Sequence, residues 1–198
     1  MSFDPLKHHR HSIRLKGHDY TSAGAYFITI CTYQRDCLFG EIVAGAVRLN
    51  DFGSVVCECW EAIPRHFPNA TVDAFVVMPN HVHGVLVINE TAHVGATHAS
   101  PLHAPPLPHG PKRQSIGAII GSFKSAVTKR INVLRAMPGA PVWQRNYYEH
   151  IVRNEREWHA IRRYIQNNPV QWALDRDHPD NRQPVSPSAA PYLREAGV

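Results

Sequence analysis

The run Thr71-Val-Asp-Ala-Phe-Val-Val-Met-Pro-Asn-His-Val-His-Gly-Val-Leu-Val-Ile88 holds two β-rich segments, Thr71–Met78 and His81–Ile88, on either side of Pro79-Asn80. Valine and isoleucine favour extended backbone, whereas Pro and Asn favour turns, so the run predicts strand, tight turn, strand. Alternate side chains of a strand share a face, which puts His81 and His83 on one side and Val82 on the other. Two imidazoles on a rigid strand can hold one divalent ion and leave positions open for a carboxamide, a water or a phosphate oxygen. A metal with open positions can polarise a phosphate. The plainer reading is a pair of partly exposed sheet histidines, because His-x-His alone is a weak signal.

Working outward, Ala25-Tyr-Phe-Ile-Thr-Ile-Cys-Thr-Tyr33 follows Gly24 and reads as a strand, and Cys37-Leu-Phe39 with Ala46-Val-Arg-Leu49 reads as a short hairpin. Asn50 or Asp51 can cap a helix to about Ile63, with Val55, Val56, Cys59, Trp60 and Ile63 on one face and Pro64 and Pro68 at its end. Residues 89–114 carry five prolines and several histidines and are expected to be a flexible insertion. Ser115 opens a helix to about Arg135 with an isoleucine-rich face, residues 143–152 look extended, and a last helix runs from about Asn154 to Asn168 before Pro169. The expected class is α+β: a ferredoxin-like or RRM-like antiparallel sheet with helices packed on one face. Residues 1–20 form a basic arm in this reading, 21–175 the single domain, and 176–198 a proline-containing tail.

The 198 residues suffice for one domain with a core. No apolar run approaches the roughly 18 residues that span a bilayer, and the polar, histidine-rich start does not resemble a signal peptide, so a cytoplasmic protein is expected. Cys31, Cys37, Cys57 and Cys59 lack zinc-knuckle spacing and are expected to be reduced. Net charge is +5 with neutral histidines, and Lys112–Arg163 holds eleven Lys/Arg against three acids. Such a stretch attracts a polyanion, and nucleic acid is the commonest one in a cell.

A second constellation lies on the last helix. Tyr164 and Asn168 are four apart and share a face, with Arg156, Arg162 and Arg163 around them. A tyrosine hydroxyl can attack a phosphodiester and keep the product covalently. Its pKa near about 10 makes it weak at neutral pH unless cations or a metal assist. Asn168 offers a side-chain oxygen as a third metal ligand. Equally, Tyr164 can pack on the sheet and Asn168 can simply end the helix. Tyr147 and Tyr148 are rival nucleophiles, but neither has Asn or Gln four residues on in a helix. With Trp143 they read as core packing or base-stacking residues.

Val77-Met-Pro-Asn-His-Val-His-Gly84 resembles the HUH motif (His, hydrophobic, His) of single-tyrosine transposases, and most resembles the REP-associated tyrosine transposases. The likeness extends through Ser12-Ile-Arg-Leu15, Gly24-Ala-Tyr-Phe-Ile-Thr-Ile-Cys-Thr32, Val142-Trp-Gln-Arg-Asn-Tyr-Tyr-Glu-His-Ile-Val-Arg-Asn154 and Ile161-Arg-Arg-Tyr-Ile-Gln-Asn-Asn-Pro169, over roughly residues 10–175. The histidine-triad hydrolases do not fit, because position 85 is Val where they need a third His. The resemblance implies that His81, His83 and Asn168 hold Mg²⁺ or Mn²⁺. It also implies that Tyr164 attacks a backbone phosphate of single-stranded DNA, giving a 5′-phosphotyrosine link and a free 3′-hydroxyl. The implied partners are imperfect-palindrome DNA hairpins, with no membrane, acted on by a monomer or homodimer at the nucleoid. Arg14, Lys124, Lys129, Arg130, Arg145, Arg153, Arg162 and Arg163 are the expected DNA-contacting cations. The 89–114 insertion departs from the compact form of that family and is expected to touch only the DNA contacts. Two alternatives stand beside this reading. One is a non-catalytic RRM-like nucleic-acid binder using Tyr26, Phe27, Tyr147 and Tyr148; the other is a replication or relaxase-type HUH nuclease.

Overall fold

The computed structural model describes residues 19–90, 112, 114–175 and 177–181. Its elements in chain order are β1 (Gly24–Cys31), β2 (Gly40–Val43), β3 (Ala46–Leu49), α1 (Asp51–Glu61), α2 (Ile63–His66), β4 (Ala70–Met78), β5 (His81–Ile88), α3 (Ile116–Leu134), β6 (Tyr148–Val152) and α4 (Glu155–Asn167). Four strands form an antiparallel sheet in the order β4-β5-β1-β6, and β2 and β3 form a separate hairpin. The α+β antiparallel architecture is therefore as expected. Arg14, most of the basic arm and of the 89–114 insertion, and nearly all of the 176–198 tail lie outside the described residues.

The central strands bury both faces, and this alters the expected layering. Tyr26, Ile28 and Ile30 of β1 join Val82, Leu86 and Ile88 of β5 in one apolar cluster with Trp60 of α1 and Ile119, Ile120, Phe123 and Val127 of α3. The alternate positions Ala25, Phe27 and Val85 form a second cluster with Ile161 and Ile165 of α4. The expectation of helices on one face holds for α1 and α3, but α4 lies on the opposite face. β1 and β5 carry apolar side chains at nearly every position, so one layer of helices would leave half of that surface in water.

Local chemistry explains the remaining boundaries. Asn50 caps α1 by accepting from Gly53 N, Ser115 caps α3 through Ala118 N, and Asn154 caps α4 through Glu157 N. Pro64 begins α2 rather than ending α1, a position where its missing N–H costs no helical hydrogen bond. The hairpin starts later than expected: Ala44 and Gly45 both have positive φ (51° and 77°), the turn that two-residue hairpins favour, and Gly40–Val43 pairs with Ala46–Leu49. Cys37 and Leu38 lead instead to Phe39, which is buried against Trp143 with centroids 5.1 Å apart. Gly84 is demanded by close approach, because a Cβ there would collide with the Trp60 indole. No disulfide joins the four cysteines, and among the described residues no helix is long and apolar enough to cross a membrane.

Candidate active site between the sheet and the last helix

β5 pairs His81 with Cys31 of β1 and Met78 of β4, and His83 with Thr29 and Val76, so both imidazoles emerge on the α4 face. Their ring centroids are 4.4 Å apart, and both residues are buried. Asn80 determines the state of His81. Its Nδ2 donates to the carbonyls of Asp177 (2.7 Å) and Arg35 (3.1 Å), which leaves Oδ1 facing His81 Nδ1 at 2.8 Å. An amide oxygen only accepts, so His81 Nδ1 carries the proton and Nε2 presents a lone pair. That Nε2 is buried with no hydrogen-bond partner. Burial pushes the His81 pKa below its ordinary value, against the opposing pull of the Asp175 and Asp177 carboxylates. His83 is held by Thr29 Oγ1 at 2.8 Å from Nδ1 and by stacking on Phe27, with centroids 5.4 Å apart.

α4 brings the second constellation onto the same face. Trp158, Ile161, Tyr164, Ile165 and Asn168 recur three or four residues apart and turn toward the sheet. The Tyr164 hydroxyl lies 3.3 Å from His83 Nε2, and its ring meets Phe27 edge-on. Asn168 is almost fully buried, with Nδ2 donating to Asp175 Oδ2 (3.2 Å) and Oδ1 without a hydrogen-bond partner. The four residues singled out in sequence, His81, His83, Tyr164 and Asn168, therefore converge.

The helix is held in place by a polar clamp that sequence reasoning did not find. A break in the β4–β5 register between Val72 and Phe75 brackets Asp73, which accepts from Trp158 Nε1 (2.6 Å) and from Arg162 Nε and Nη2 (2.8 and 2.6 Å). The Arg162 fork holds the Asp73 carboxyl below its usual range. In the first turn of the same helix, Glu157 accepts from Arg153 N (2.7 Å) and bonds His150 Nε2 (2.6 Å).

A third element was also missed. After α4 the chain makes a short turn at Trp172–Leu174 and crosses beside His81, with the Trp172 ring 5.9 Å from that imidazole. This places Asp175 so that one ligand atom from each of His81, His83 and Asp175 lies within 4.8 Å of the others. Asp175 is seven residues past Asn168 and outside any helix, so neither helical nor strand spacing links it to the histidines.

The expected DNA-contacting cations divide. Lys129, Arg145, Arg153 and Arg163 are exposed. Lys124 Nζ instead donates to the carbonyls of Gln144 (2.6 Å) and Arg145 (3.1 Å), Arg130 pairs with Glu58, and Arg162 clamps Asp73. Those three charges are engaged within the fold, as folding uses local cations to satisfy carbonyls and carboxylates. Tyr148 stands beside Phe27 with centroids 6.4 Å apart, and Tyr147 packs on the larger core.

No protein-family model matches the chain. A Haemophilus influenzae protein described only as uncharacterized is 46% identical over 173 residues, which is 87% of this chain and 95% of that one. Among solved structures, a REP-associated tyrosine transposase bound to a REP hairpin matches with a TM-score of 0.50 and 18% identity, covering 83% of this chain and 77% of that one. The likeness to that family read from the HUH segment thus extends to the fold.

Proposed function

This chain belongs to the same family as the Haemophilus influenzae protein, and we propose that it is a metal-dependent single-stranded DNA endonuclease and strand transferase acting through Tyr164. One observation carries the reading: the Tyr164 hydroxyl stands 3.3 Å from His83 Nε2, and on the same face of the sheet His81 Nε2 and Asn168 Oδ1 are buried acceptors with no hydrogen-bond partner. A buried acceptor without a donor costs roughly 1–3 kcal/mol, and a cation is the partner that satisfies several at once. The residues therefore fit a divalent ion, held by His81, His83 and Asn168. Mg²⁺ or Mn²⁺ bound there would withdraw charge from a scissile phosphate.

The chain's own residues supply the rest. Asn80 and Thr29 fix the two imidazoles, as outer partners of ligating histidines do. α4 presents the Tyr164 oxygen at the mouth of the histidine pair. As that oxygen bonds to phosphorus, its proton leaves and the bond from phosphorus to the 3′-oxygen breaks. The products are a 5′-phosphotyrosine and a 3′-oxygen that takes up a proton to become a hydroxyl. Attack by another 3′-hydroxyl reverses the step and transfers the strand. Lys129, Arg145, Arg153 and Arg163 are exposed cations available to phosphates. Hairpin DNA is the substrate class we assign, by analogy with the hairpin-bound structural neighbour, and the nucleoid the place of action. The test is incubation of single-stranded hairpin oligonucleotides with the protein and Mn²⁺, followed by denaturing electrophoresis. A covalent protein–DNA band that Tyr164→Phe abolishes, with binding kept, supports the assignment; an adduct formed by that variant refutes it.

A further inference from the structure

Resting on the metal reading above, we propose that Asp175 is an additional protein ligand of the same ion, so that the site is His81, His83, Asn168 and Asp175. The donor set on this face is electron-rich throughout. The network around Asn80 leaves His81 Nε2 as a lone pair. Asn168 is oriented in the same way: a carboxylate can only accept, so the 3.2 Å bond to Asp175 Oδ2 is made by Asn168 Nδ2, and Oδ1 is turned the other way. Both His81 Nε2 and Asn168 Oδ1 are buried without a hydrogen-bond partner. A cation finds these acceptors ready to hold it.

The Asp175 carboxylate completes this set in charge and in reach. Its ligand atom lies within 4.8 Å of those of His81 and His83, a span that one ion with ligand distances of about 2.0–2.4 Å can bridge. Two imidazoles and an amide supply no formal charge, and hard ions such as Mg²⁺ and Mn²⁺ are held more tightly as carboxylates are added. The carboxylate is also fixed rather than free. Asp177 N donates to Asp175 Oδ1 (2.7 Å), Asn181 Nδ2 to its backbone oxygen (2.9 Å), and Asp177 is itself tied to Arg35 (2.9 Å) and, through its carbonyl, to Asn80 Nδ2. Asn80 thereby sets the His81 lone pair and anchors the segment that presents Asp175. A single side chain aligns two ligands that are 94 residues apart in sequence.

The test is calorimetric titration of the full chain with Mn²⁺ alone, without DNA, so that it reads affinity and not cleavage. Asp175→Asn keeps the side-chain shape and one acceptor oxygen, enough for one of the two donors Asn168 Nδ2 and Asp177 N, and removes the charge. It should weaken Mn²⁺ binding by about 10–100-fold, while Asp175→Glu recovers part of the loss. Thermal melting without metal checks that the variants fold, and the rise in Tm on adding Mn²⁺ should shrink in the same order. Asp175→Asn binding within twofold of the parent overturns the inference. So does loss confined to Asp175→Ala, which would make Asp175 a positioning acceptor for Asn168. His81→Ala separates the two claims: if it abolishes binding while Asp175→Asn does not, the metal site stands and Asp175 is no ligand. A parent chain that takes up no Mn²⁺ overturns both.

Discussion

The two faces of the central sheet are made by the same strands and do different work. Toward α1 and α3, Tyr26, Ile28, Val82 and Leu86 meet Trp60, Ile119 and Phe123, and the contacts are apolar and close. Toward α4 the neighbouring residues Phe27, Thr29, His81 and His83 meet Tyr164 and Asn168, and the contacts are directional: Asp73 with Arg162 and Trp158, Glu157 with His150, Asn80 with His81. The second face holds His81 Nε2 and Asn168 Oδ1, ligand-type atoms buried without a hydrogen-bond partner. The difference shows how a small protein keeps an unfavourable polar cluster. Apolar burial on one face holds the strands in register, and the other face then carries polar groups positioned by directional hydrogen bonds.

That division predicts which substitutions change chemistry and which change stability. The largest effect belongs to Tyr164→Phe, expected to lower adduct formation by about four to six orders of magnitude. Its unfolding midpoint in urea should stay near that of the parent, because the ring still packs against Phe27. Trp60→Ala, on the opposite face, should cost about 3–5 kcal/mol in urea unfolding. What folded protein remains at low denaturant should still form the adduct. A Trp60 variant that is fully folded yet inactive would show that the faces are coupled rather than separate.

Asp73→Ala tests the clamp between β4 and α4 and should cost about 1–3 kcal/mol, since it leaves Arg162 and Trp158 Nε1 without their acceptor. The effect carries a pH signature. Arg162 lowers the Asp73 pKa in the fold, so its contribution is complete above the ordinary aspartate range near about 4 and is lost as pH falls through the lower folded value. The stability gap between parent and Asp73→Ala should therefore be constant at neutral pH and close on acidification; a gap that widened in acid would contradict the assignment. The smallest effect is expected at the rim. Arg163→Gln should change unfolding by less than about 0.5 kcal/mol. It should lower hairpin affinity a few-fold and reduce the slope of log affinity against log salt by about 1, if Arg163 meets a phosphate.

Much of this was legible along the chain. The strand pair around Pro79-Asn80, the caps at Asn50, Ser115 and Asn154, and the placement of His81 with His83 and of Tyr164 with Asn168 all follow from local periodicity. Four candidate residues could be named because each pair lies within one element or at its cap. The hairpin boundary was displaced by a turn at Ala44-Gly45 whose positive φ values the residue pattern before it did not announce. Three of the basic residues expected at DNA, Lys124, Arg130 and Arg162, also bind carbonyls or carboxylates of the chain itself, contacts that charge along the sequence does not announce.

What local sequence determined, then, was each element and the face each side chain would occupy on it, since backbone periods of 2.0 and 3.6 act over neighbouring residues. Only the tertiary structure decided that α4 covers the face opposite α1 and α3, that Asp73 grips Arg162 from 89 residues away, and that Asp175 comes to the histidines. Those outcomes depend on which apolar surfaces remain uncovered and which polar groups still need partners once the chain has collapsed. Each is a property of elements distant in sequence brought together, and no spacing within one element encodes it.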